Sequence, residues 1–148
     1  MKKYVKKYVL VGVLVFSLVA FELFNYASTE YSFSTLIGDL QIFGISWSVL
    51  MAIAFCGSDF AGIARVFTDK MNKYETYMLL AVWLIASIIN MTTTWWGVTS
   101  ALVANGVPGN EVISHETLIM AVPSIIAFTV FAASISLIGS FSLMFPKT

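Results

Sequence analysis

The sequence predicts an all-α integral membrane protein of four transmembrane helices, with both termini on the cytoplasmic side. Three observations predict it. Of the 148 residues, 59% are hydrophobic and only 11% charged, against about 45–50% and ~25% in soluble domains. The apolar residues gather into four runs, each close to the ~20 residues that a helix needs to cross a bilayer core. All eight Lys and Arg residues flank those runs at the same side: Lys2, Lys3, Lys6 and Lys7 before the first, Arg65, Lys70 and Lys73 between the second and third, Lys147 after the fourth. The other two connections carry Glu30, Asp39, Glu111 and Glu116 and no cation. Cytoplasmic loops accumulate Lys and Arg, so this asymmetry sets the orientation. The expected location is the cell membrane.

The first span fits residues 8–27. Its lysine-led start resembles a secretory signal, but Asn25 occupies the −3 position for cleavage after Ala27, where a small residue is wanted. A retained span is expected. In the outer loop that follows, Phe33, Leu36, Ile37, Leu40 and Phe43 are spaced 3, 4, 7 and 10 residues from Phe33. That spacing predicts one face of a short amphipathic helix on the membrane surface. The second span fits residues 44–66 and ends in the polar connection Thr68-Asp69-Lys70-Met71-Asn72-Lys73.

The third span fits residues 76–97, with Trp95 and Trp96 at the outer headgroup boundary. Residues 98–104 and 112–122 are too apolar for simple loops, and Asn105-Gly106-Val107-Pro108-Gly109-Asn110 between them is a strong turn signal. An extended outer hairpin is expected there, or alternatively a segment folded back into the interface. The fourth span fits residues 123–145, with Pro123 in its first turn, where a missing N–H costs nothing. No internal repeat is present, so an inverted-repeat transporter within one chain is not supported.

Several function classes drop out. No basic stripe lies outside the membrane flanks, so nucleic acid is not an expected partner. Cys56 is the only cysteine, which excludes an internal disulfide, a CxxC redox pair and a cysteine-based zinc site. His115 is the only histidine and is expected to be solvated. No metalloprotease, nucleophile-elbow or phosphate-loop motif occurs. In Gly57-Ser58-Asp59 the hydroxyl and carboxylate point some 100° apart, with no base to activate the serine. A non-enzymatic protein without cofactor or metal is expected.

Two places in the spans carry candidate chemistry. Counted from Gly44 at ~1.5 Å per residue, Asp59 falls about 22 Å down, in the inner third of the bilayer. A carboxylate at that depth must face protein or water, or be protonated. Ala54, Ser58 and Gly62 form a small-residue ridge beside it, matched on the fourth span by Ala132, Ser136 and Ser140 with Gly139 alongside. Such ridges permit close helix approach, so spans 2 and 4 are expected to pack tightly, with Ser136 or Ser140 near Asp59. The second place is Glu22 with Asn90, each fourteen residues beyond the inner end of its span and so level at about 21 Å. Thr129 is expected at similar depth. On span 3, Ser87, Asn90, Thr94 and Gly97 form one polar face.

Each cluster has two readings. One is an ion or proton site, the default for an intramembrane ionisable group. The other is a hydrogen-bonded network holding helices together, at about 0.6–2 kcal/mol per bond. The first makes the chain a small homo-oligomeric channel or transporter subunit. The second makes it a structural or accessory subunit that assembles with itself or with other membrane proteins.

Overall fold

The structure is a computed structural model that describes residues 2–67, 71–110 and 112–144, with side chains over 8–64, 71–110 and 112–141. The flanking Lys2, Lys3, Lys6, Lys7, Arg65, Lys70 and Lys147, with Glu111 and Pro146, lie outside the described side chains. Four helices make up nearly all of the fold: α1 (Lys2–Ile37), α2 (Trp47–Phe67), α3 (Lys73–Ala104) and α4 (His115–Met144). All four are long and apolar enough to cross a membrane. This is a multi-pass membrane architecture.

The helices outrun their apolar cores. The expected break after residue 27 does not occur, and α1 continues to Ile37. The separate amphipathic helix in this region is therefore corrected to the last turns of α1 plus a β-hairpin. Within those turns Asn25, Thr29 and Ser32 are buried at offsets of 0, 4 and 7. They read as polar in a linear scan but share one helix face. Strands β1 (Gln41–Ile42) and β2 (Ile45–Ser46) then pair antiparallel around Phe43-Gly44. Both turn residues have positive φ, 52° and 79°, the geometry of a two-residue hairpin turn that favours Asn-Gly. Phe43 is fully exposed there.

α3 opens on a capping box. The Glu75 amide donates to Asn72 Oδ1, and Glu75 Oε2 accepts from the Asn72 amide, both at 2.9 Å. It runs unbroken to Ala104, and α4 begins at His115, whose Nδ1 lies 2.6 Å from the Val107 carbonyl. The expected re-entrant alternative is not formed, and residues 98–104 and 115–122 are helix. Pro123 accordingly sits inside α4 rather than in its first turn, with its ring buried.

α1, α2 and α3 pack against one another, and α4 packs mainly on α3. The close α2–α4 packing read from the small-residue ridges is corrected: α4 touches α2 only lightly. The outward surface is apolar, with Tyr8 and Phe16 three-quarters exposed. The interior carries much of the polarity, as a bundle solvated by lipid allows.

Candidate functional site

Three helices deliver one polar layer. α1 presents Glu22, Asn25, Thr29 and Ser32 at offsets 0, 3, 7 and 10. α3 presents Ser87, Asn90, Thr94 and Gly97 at the same offsets. Both sets lie along single helix faces, and the α3 set is buried throughout. α2 contributes Asp59, 2% exposed, from the opposite direction.

At the centre, both asparagines turn their amide nitrogens onto one carboxylate oxygen. Asn90 Nδ2 donates to Asp59 Oδ2 at 2.6 Å, and Asn25 Nδ2 donates to the same atom at 3.3 Å. Glu22 stands one helical turn from Asn25 on the same face of α1. The Cys56 thiol donates to the Glu22 backbone carbonyl at 3.7 Å. The two clusters expected from sequence are therefore one. Asp59 lies level with Asn90, not in a separate inner layer. From Asp59 back to Trp47, and from Asn25 on to Ile37, the helices rise about 18 Å each, which puts all three groups at one height.

Towards the β-hairpin end, hydroxyls continue the layer between α1 and α3. Ser28 meets Thr94, and Thr29 meets Thr93, each pair at 3.4 Å. Ser32 Oγ donates to the Thr93 carbonyl at 2.5 Å. Gly97 is required here, since a Cβ in its place would stand 2.5 Å from Ser32 Oγ. Nearer the hairpin, Ser48 donates to Glu30 Oε1 at 3.3 Å and also meets Ser46. Towards the termini the character reverses. Ile63, Ile138 and Phe141 form an apolar cluster with Leu14, Leu18 and Trp83 packed on it.

The remaining expected site residues fall outside this layer. Ser58 Oγ donates to its own helix at the Ala54 carbonyl, and Ser136 Oγ to the Ala132 carbonyl. Neither bonds to Asp59, nor does the partly buried Ser140. Thr129 is exposed on the membrane side of α4 and donates to the Ile125 carbonyl, so it does not join Glu22 and Asn90. Of the ridges, Gly62 is tightly packed, with Trp83 and Ile138 around it. Ala54 is exposed, Ala132 half-buried, and Gly139 faces open space. Each intrahelical hydroxyl bond satisfies its own donor, which is why these serines need no partner helix.

Asn25 is the residue that sequence reading missed as a site member. Its signal was the 0, 3, 7, 10 spacing with Glu22, Thr29 and Ser32, the same spacing that marked the α3 face.

Four buried oxygens in and around the layer have no hydrogen-bond partner: Glu22 Oε2, Asn25 Oδ1, Asp59 Oδ1 and Asn90 Oδ1. All are acceptors, and no cationic side chain pairs with either carboxylate among the described residues. Burying two carboxyl groups in this way is costly unless protons or a cation neutralise them. What such an arrangement can do chemically is accommodate positive charge, as a proton or a cation. Compared with protein-family models, curated proteins and solved structures, the chain matches none.

Proposed function

We propose that the chain is a small transport or channel subunit of the cell membrane that handles protons or a small cation at the Glu22–Asp59 pair. One observation carries this reading: the four orphaned acceptor oxygens gathered between α1, α2 and α3. A bundle glued only by hydrogen bonds has no use for two carboxyl groups without counter-charge, since amides or hydroxyls would serve without the desolvation cost. The hydroxyls between Thr93 and Ser32 favour the second reading, a structural or accessory subunit, because such bonds fix helices and move nothing.

The site is enclosed within one bundle, Asn25, Asp59 and Asn90 being at most 2% exposed. Charge therefore passes between helices of a single chain, rather than along an axis shared by several copies. Assembly as a homo-oligomer or with other membrane subunits is part of the proposal, since only 6% of the apolar window of α1 is covered. A detergent-corrected mass decides it. The proposal keeps both termini on the cytoplasmic side, as the Lys and Arg asymmetry supports, so Asn110→Cys should label from outside and Asn72→Cys from inside.

Flux through proteoliposomes tests the function. Wild-type protein should pass protons or a monovalent cation, and Asp59→Asn and Glu22→Gln should reduce flux at least tenfold while still assembling. Wild-type vesicles no leakier than empty ones would remove the transport reading and leave the structural one.

A further inference from the structure

We infer that the orphaned oxygens of Glu22, Asn25, Asp59 and Asn90 form a binding site for a dehydrated alkali-metal cation. The inference rests on the transport reading and names the charge carrier for that site.

The orientation of the two carboxamides argues first. An ionised carboxylate only accepts hydrogen bonds, whereas a protonated one also donates. Asp59 Oδ2 is met by donors alone, one from each side. Asn25 and Asn90 thus turn their amide donors onto Asp59 Oδ2 and leave their own acceptors free of it. Their own oxygens, held on the same small amide groups, are left buried and unpartnered beside it. Three side chains at most 2% exposed each leave an oxygen empty, which two structural asparagines would have no reason to do.

Ligand chemistry narrows the ion. Oxygen donors of carboxylate and carboxamide type suit hard cations rather than zinc or copper. No group of three or more His, Cys, Asp or Glu that could hold a metal ion occurs among the described residues. Calcium takes 6–8 oxygens, and magnesium demands near-octahedral geometry while keeping several waters. Four protein oxygens fall short of calcium's number, and two of the four come from uncharged carboxamides, weak compensation for the waters that magnesium sheds reluctantly. A monovalent ion at Asp59 with one proton on Glu22 balances the charge of the two carboxyl groups.

Towards the termini the site is backed by the apolar cluster of Ile63, Ile138 and Phe141, with Trp83 packed on it. Towards the hairpin it is bordered by the paired hydroxyls of Ser28 with Thr94 and Thr29 with Thr93.

Calorimetric titration of the purified full chain in detergent tests this, with sodium, lithium, potassium, calcium and choline chlorides at matched ionic strength. Saturable sodium binding is expected, with no choline signal. Asn90→Leu should weaken it roughly tenfold, about 1.4 kcal/mol, and Asp59→Asn should abolish it. Ser136→Ala should leave it unchanged. The wild-type titration decides the question even where a variant fails to fold. No alkali-ion heat, or binding of calcium alone, overturns the inference. Absence of binding together with intact proton flux in vesicles overturns it while the transport reading stands. Absence of both removes the two together.

Discussion

The two halves of this bundle are held together by opposite means. Towards the β-hairpin, α1, α2 and α3 meet through Asn25, Thr29, Ser32, Ser48, Thr93 and Thr94, all buried. Towards the termini Ile63 of α2 meets Ile138 and Phe141 of α4, with Leu14 and Leu18 of α1 and Trp83 of α3 packed on them. In lipid, apolar contact gives no hydrophobic gain between helices, so shape fit and dispersion must hold the second half. The first half adds hydrogen bonds, which fix both register and rotation. Asp59 lies where the two regimes meet. Asp59 thus has polar neighbours on one side and apolar ones on the other.

Substitutions break this contrast in graded fashion, read as thermal unfolding in one detergent. Phe141→Ala should cost most, about 3–5 kcal/mol, because it removes the contacts of a buried ring and opens a cavity in the apolar cluster. Gly97→Ala should come next at about 1–3 kcal/mol, since the new methyl group pushes Ser32 off the Thr93 carbonyl. Thr93→Val, which removes bonds but keeps shape, should cost only about 0.6–1.7 kcal/mol. Equal losses for Phe141→Ala and Thr93→Val would erase the distinction between the halves. The smallest effect is a gain. Phe43→Asn places a residue suited to φ 52° in the exposed turn and should stabilise by up to about 1 kcal/mol.

How much of this was legible in the sequence varies with the kind of signal. The four helices followed from apolar runs, and the buried α3 face from the spacing of Ser87, Asn90, Thr94 and Gly97. The continuation of α1 to Ile37 did not, because residues 28–35 look like a polar loop when read linearly. Only their helical spacing shows that Thr29 and Ser32 share a face with Glu22 and Asn25. The height of Asp59 is not legible for a related reason. The ends of apolar runs mark depth only where they share a plane, and α1 extends about 18 Å beyond Asn25. Ser136, Ser140 and Thr129 were drawn into sites by their polarity, but each of the two with a described bond, Ser136 and Thr129, satisfies itself on its own helix. Pairing between helices is a tertiary choice, and neither spacing nor composition of one helix encodes it.

The central claim is that the buried carboxyl groups are balanced by an exchangeable positive charge. Infrared difference spectroscopy on the reconstituted protein reads this directly, as carboxyl and carboxylate stretching bands that change when sodium replaces choline or when pH is stepped. The account predicts reversible difference bands in the wild type that disappear in Asp59→Asn. Spectra insensitive to both sodium and pH, and identical in the variant, would contradict it and leave Asp59 a fixed structural anchor.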